Sequence, residues 1–185
     1  MRSKALRLAM VMCAAAAVTW ASACKPSVDE KAAAERGAAA LAPFKKNLMG
    51  ALKAGMAVGP VSAVEACHLS APGMPAAAST PEVTVGRTTD KLRNPENAPK
   101  PWMKPLLADY AKAGPGAAPR AVALEDGKVG YVEPIYLQEM CLACHGSTLN
   151  AEVATTLAER YPKDEAKGYA AGDFRGLFWV EMAGR

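Results

Sequence analysis

The sequence predicts an α+β domain in which helices come first and a small antiparallel sheet follows. Three observations carry that reading. Leu41, Phe44, Leu48, Leu52 and Met56 recur at helical spacing in the first third of the chain. Short β-rich stretches occur at 82–87, 120–125, 128–133 and 174–181. Asp126-Gly127, between the second and third of these, is a strong two-residue hairpin signal.

The chain opens with a short basic run containing Arg2, Lys4 and Arg7. An uncharged stretch follows over 8–19, and Ala21-Ser22-Ala23 supplies small residues for cleavage. This is the layout of a secretory signal over 1–23, and the apolar part is rather short to span a bilayer. Cleavage after Ala23 leaves Cys24 at the new N-terminus. Ala-Ser-Ala-Cys also resembles a lipobox, though without the usual leucine at the position of Ala21, so two fates stand side by side. The product is either a soluble periplasmic protein or one anchored by a lipid on Cys24. The formal charge of +4 falls to +1 once Arg2, Lys4 and Arg7 leave. No basic stretch is interleaved with aromatics, so nothing points to nucleic acid.

After the leader, Ser27-x-x-Glu30 has capping-box spacing and opens an N-terminal helical segment over 24–60. Gly37 and Pro43 are expected to interrupt it, giving two helices or one kinked helix. Gly59-Pro60 ends that region, and 61–69 reads as a short helix bearing Cys67 and His68. A strand is expected over 82–87, a loop over 94–101 and a helix over 102–112. The hairpin and a helix with Val153, Leu157 and Tyr161 on one face come next, then a closing strand over 174–181. These make up a second unit, 61–185. No internal repeat is visible.

Cysteine usage separates this chain from disulfide-built secreted domains. Of five cysteines, Cys13 lies in the leader and Cys24 at the cut, leaving Cys67, Cys141 and Cys144. Three is an odd number, and two of them form one CxxC. Cys141-Leu142-Ala143-Cys144-His145 is the attachment signature for a c-type haem. On one helical turn, positions i, i+3 and i+4 share a face. Two thiols there can bond to one edge of the macrocycle, while the adjacent imidazole of His145 reaches the iron. Export agrees with this, because covalent haem attachment takes place outside the bacterial cytoplasm.

Two other chemistries compete for the same residues. A thioredoxin-like CxxC normally follows a strand in a βαβ unit and does not call for a following histidine. A structural zinc site could draw on Cys67, Cys141, Cys144 and His145. Adjacent Cys144 and His145 rarely close one tetrahedral site, however, and no second ligand pair is present. For a second axial ligand the candidates are Cys67, His68, Met56, Met74, Met103 and Met140. Met140 adjoins the attachment cysteines, which puts the opposite face of the ring out of its reach. A thiolate lowers the potential of the iron and favours the ferric state, whereas a thioether raises it.

Several blocks are similar to a known family. They are Ala63-Val64-Glu65-Ala66-Cys67 with Ala71-Pro72, Gly86-Arg87-Thr88, 92–99 with Trp102, Cys141-Leu142-Ala143-Cys144-His145-Gly146, and Tyr161-Pro162-Lys163-Asp164 through Gly176. Together they resemble PAS-like single-haem proteins long catalogued as a domain of unknown function. The resemblance implies a PAS-like fold and a haem held by His145 and an unusual Cys67, with His68 as the alternative ligand. It also implies relatives that serve as extracytoplasmic input domains of histidine kinases and chemoreceptors. The leader and the alanine-rich N-terminal segment fall outside it.

Haem propionates call for cationic partners, and Arg87, Arg93 and Arg175 fall in the matching blocks. Trp102, Tyr131 and Phe178 are candidates to pack on the macrocycle. The expectation is therefore a periplasmic protein with one covalent haem c, acting in redox or gas sensing or in low-potential electron transfer. Its partner is an unidentified redox or signalling protein. Two filled axial positions leave no open site for substrate, which argues against an enzyme. A peroxidase-like activity, requiring a displaceable distal ligand, is the rival.

Overall fold

The computed structural model describes residues 29–184. The leader over 1–23, Cys24 and the Ser27 cap lie outside the described residues. The first helix, α1, runs Glu30–Val58, with Asp29 as its cap; the Asp29 carboxylate accepts the Ala32 N–H at 3.0 Å. The interruption expected at Gly37 and Pro43 does not divide it. Pro43 removes the N–H that the Ala39 carbonyl would have accepted, but both residues are exposed, so water can take that carbonyl. Gly37 serves close packing. It is buried against Tyr131, and a Cβ there would overlap the tyrosine ring.

Gly59, with φ at 154°, turns the chain into α2 (Pro60–Ser70), where Pro60 takes a first-turn position that needs no N–H donor. This helix carries Cys67 and His68 as expected. A short α3 (Met74–Ala78), unmarked in the sequence, leads to β1 (Val83–Thr88). The proline-rich stretch that follows is ordered as two 3-10 turns, Pro95–Asn97 and Pro101–Met103, before α4 (Lys104–Ala113). Trp102 therefore sits in a turn and not in the helix expected over 102–112. The hairpin β2 (Arg120–Ala123) and β3 (Lys128–Tyr136) closes not through two residues but through the three-residue turn Glu125–Gly127. The Leu124 N–H donates to the Lys128 carbonyl at 2.9 Å, with Asp126 and Gly127 at φ 56° and 66°. Left-handed backbone at both residues is what Asp-Gly tolerates. The one-turn α5 (Leu142–His145), α6 (Ala151–Arg160) and β4 (Phe174–Ala183) complete the chain.

The four strands form one antiparallel sheet in the order β1-β4-β3-β2. The last strand in sequence is thus central, pairing β1 on one side and β3 on the other. Side chains alternate across the sheet with period two. On one face Val85, Val129, Tyr131, Val180 and Met182 pack against Ala33, Leu41 and Phe44 of α1. On the other, Val132 and Leu177 pack against Leu106, Leu107 and Tyr110 of α4, with Trp102 and Trp179 alongside. A third cluster, Val64, Val153 and Leu157, joins α2 to α6 and includes the Cys144 side chain. The helix of the N-terminal segment is therefore built into the core of the sheet.

Two glycines of α1 separate helix propensity from packing. Gly50 is exposed with open space around it, so Gly50→Ala should stabilise by up to about 1 kcal/mol. Gly37→Ala gains the same propensity but forces a methyl into Tyr131, an overpacking cost of about 1–3 kcal/mol. Thermal denaturation should move the melting temperature up for Gly50→Ala and down for Gly37→Ala.

Candidate functional site

The face of the sheet that packs on α1 continues past the end of that core. Arg87 follows Val83 and Val85 on β1 at period two, and Phe178 is its register partner on β4. Ile135 continues the same face on β3. Beyond Phe44 the apolar stripe of α1 continues with Leu48, which still touches that core, and with Leu52 and Met56, and all three line open space. Together with α2 and the turn at Cys141, Cys144 and His145, these residues enclose a cavity of about 1260 Å³, counting the space open to solvent. Its walls are mostly apolar. Cys67, Cys141, Cys144 and His145 all line it.

The turn that carries Cys141, Cys144 and His145 is short. A 3-10 turn, Glu139–Cys141, runs into the four residues of α5, and the Gly146 N–H closes the turn onto the Leu142 carbonyl at 2.9 Å. The loop over 161–169 holds it from outside. The Tyr169 N–H donates to the His145 carbonyl at 3.0 Å, and the Gly168 N–H to the Gly146 carbonyl at 3.1 Å. The ring of His145 is oriented by the same loop, with Nδ1 at 2.8 Å from the Ala166 carbonyl oxygen. A carbonyl only accepts, so the proton resides on Nδ1 and Nε2 keeps its lone pair free. Burial, reinforced by Arg93 and Arg175, pushes the imidazole down to about 3. At neutral pH the ring is therefore uncharged.

Electrostatically the cavity is lopsided. Arg87, Arg93 and Arg175 line it, and no Asp or Glu does. Arg93 is paired with Asp164 at 3.1 Å, the carboxylate being 1% exposed. Arg87 and Arg175 form no ion pair with a carboxylate among the described residues. Burial lowers the affinity of both guanidinium groups for their protons, and Arg175, next to Arg87 and Arg93, comes down to about 10. Both still carry charge at neutral pH. Burial raises the Cys67 thiol, while Arg87 and Arg93 pull it back toward the thiolate.

The sequence-predicted residues do not all converge. Cys67, Cys141, Cys144, His145, Arg87, Arg93 and Arg175 meet at the cavity. His68, one residue from Cys67, does not line it; its ring meets Tyr161 edge-on at 5.2 Å. Helical geometry explains this, since neighbours on a helix point about 100° apart. Among the methionines, Met56 and Met140 line the cavity, whereas Met103 is fully buried elsewhere and Met74 packs on the α1 core. Of the three aromatics expected against a macrocycle, only Phe178 faces the cavity. Tyr131 is buried in the α1 core with its hydroxyl donating to Glu133 at 2.9 Å, and Trp102 lies on the opposite face, donating to Glu181 at 2.6 Å.

Arg93 is also occupied differently from expectation. Two of its three nitrogens donate to acceptors within the protein, so it is not a free anion partner of the kind Arg87 is. Sequence reasoning missed the cavity wall supplied by Leu48, Leu52 and Met56. Their periodicity marks a helix but does not say what the stripe faces. Among the described residues no three His, Cys, Asp or Glu side chains are grouped to hold a metal ion.

Fold and site together define a class: an α+β protein whose helix-covered sheet ends in an apolar, cation-lined cavity bearing a CxxCH turn and a separate cysteine. The chain belongs to the Tll0287-like family, whose model matches residues 8–183. It is similar to the crystal structure of the cyanobacterial haem-protein Tll0287, with 25% sequence identity and a TM-score of 0.58. That likeness covers 78% of this chain and 91% of the other. No protein with a curated description matches.

The buried pair at the back of the site should be costly to break. Asp164→Ala leaves the largely buried Arg93 guanidinium without its anion, which typically costs about 3–5 kcal/mol. Denaturant unfolding of the haem-free chain should show that loss as a lower midpoint.

Proposed function

We propose that this is an exported protein that carries one covalent haem c and works in redox or gas sensing or in low-potential electron transfer, not in catalysis. The observation that carries this reading is the convergence of Cys67, Cys141, Cys144 and His145 from two distant segments on one apolar cavity. That cavity has two arginines without a carboxylate partner, Arg175 donating instead to the Lys91 carbonyl at 3.2 Å, and no acidic side chain in its lining. Partly buried cations without a counter-anion are costly, so the cavity calls for an apolar ligand that also brings anions. A haem fits both demands, having a flat hydrocarbon body and two propionates. Its iron takes four ligands from the macrocycle, so two protein ligands suffice where three would be needed for zinc.

In this reading the Cys141 and Cys144 thiols form the covalent links and His145 offers Nε2 to the iron. Its Nδ1–H stays on the Ala166 carbonyl, the outer hydrogen bond that orients metal-binding histidines. Cys67 would supply the second protein ligand to the iron, and His68 is set aside because its ring is engaged with Tyr161. Arg87 and Arg175 receive the propionates, while Phe178, Leu48 and Leu52 exclude water from the ring. When bound, the haem supplies a one-electron ferric/ferrous couple. A thiolate from Cys67 holds that couple low, and two protein ligands leave no vacant position for a substrate. A periplasmic setting follows from the leader over 1–23 and from the chemistry of haem attachment, with Cys24 as the candidate anchor.

Absorption spectra of the exported, matured chain test this. The wild type should give a c-type reduced spectrum and a ferric thiolate signature. Cys67→Ser should abolish the thiolate signature, and His68→Ala should leave it intact. The opposite pattern would transfer the ligand to His68, and peroxide turnover well above that of free haem would overturn the non-enzymatic reading.

A further inference from the structure

Arg93 reaches two segments at once. Its Nε donates to Asp164 Oδ1 at 3.1 Å, and its Nη2 donates to the Cys144 carbonyl at 2.6 Å and to the Ala166 carbonyl at 3.2 Å. Asp164 Oδ1 also accepts the Ala166 N–H at 2.9 Å. Residue 166 is therefore held on both sides, its N–H by Asp164 and its carbonyl by Arg93. That same carbonyl accepts Nδ1–H of His145. We propose that Arg93 is a positioning residue for His145, joining the attachment turn to the 161–169 loop and fixing the imidazole through the Ala166 carbonyl. The inference rests on the haem reading above, because the ring being fixed is the one offered to the iron.

Shape decides why an arginine is needed. A planar guanidinium presents a rigid fork of donors that can satisfy acceptors on separate segments together, whereas an ammonium is a point charge on a flexible stem. With the Ala166 carbonyl locked in direction, the His145 ring cannot swing without losing its Nδ1–H bond. A second effect is electronic. Hydrogen bonding of Nδ1–H to an acceptor makes the ligating imidazole more basic. A carbonyl already accepting from a cation is a weaker acceptor, so Arg93 limits that basicity. Loss of the fork should both loosen the ring and lower the potential. Neither effect requires a propionate at Arg93.

The test uses the full, haem-loaded chain as wild type, R93K and R93Q, compared at equal covalent haem content. Two readouts matter: the low-temperature electron paramagnetic resonance spectrum of the ferric form, and the midpoint potential. R93K keeps the charge and loses the fork, so the proposal expects a broadened or split low-spin signal and a lowered potential. R93Q should show the same broadening with a larger fall, since the charge goes too. An R93K protein with the wild-type signal and potential would overturn the proposal, because charge alone would then suffice. Should R93K retain no haem, D164N decides, since it leaves an oxygen acceptor for the Ala166 N–H but weakens the hold on Arg93. A broadened signal in D164N supports positioning, and a wild-type signal rejects it. A wild-type chain without covalent haem fails the haem reading itself, and that result registers before any variant is compared.

Discussion

A helix of four residues has no stability of its own, because the cost of nucleating it is not recovered by further turns. Everything at this site therefore depends on the hydrogen bonds that tie α5 to the 161–169 loop. Shortly after that loop the chain enters β4, one of the two strands paired on both edges. The order of dependence runs from the loop to the attachment turn, and from the turn to the imidazole. The two thiols and the histidine are thus presented by a segment that is short but over-determined. Carbonyls of 144, 145 and 146 all have donors from outside the turn.

The second physical theme is a cavity whose charge does not balance. Arginines come from β1, from the loop before the 3-10 turns, and from β4, and among the described residues only Arg93 of the three is ion-paired, with Asp164. The chain alone leaves Arg87 and Arg175 without anions, an arrangement that costs stability and is sensible only if a ligand completes it. The apolar wall makes the same point from the other side. Leu48, Leu52 and Met56 belong to a helix whose earlier turns fill a close-packed core, yet here they border open space. Both features describe a protein finished by what it binds.

Much of the fold was legible because local signals agree with the global structure. The Asp126-Gly127 turn, the Gly59-Pro60 break and the stripe containing Leu41 and Phe44 each have a local cause. The spacing of Cys141, Cys144 and His145 singled out that turn in the sequence, and the fold places all three on one cavity. What stayed hidden depends on contacts distant in sequence. Pro43 reads as a helix breaker, and only its exposure in the fold makes it tolerable. The choice between Cys67 and His68 turns on which side of α2 meets the cavity, and the low amphipathicity of that segment does not reveal it. Arg93 and Asp164 lie 71 residues apart, so no window of sequence joins them.

The central claim is that Cys141 and Cys144 hold a haem covalently, and the most direct measurement is the mass of the matured chain under denaturing conditions. The account predicts the mass of the processed polypeptide plus one haem, with the increment lost when both cysteines are replaced by serine. A wild-type mass equal to the bare polypeptide, after expression with an active haem-attachment system, would contradict it.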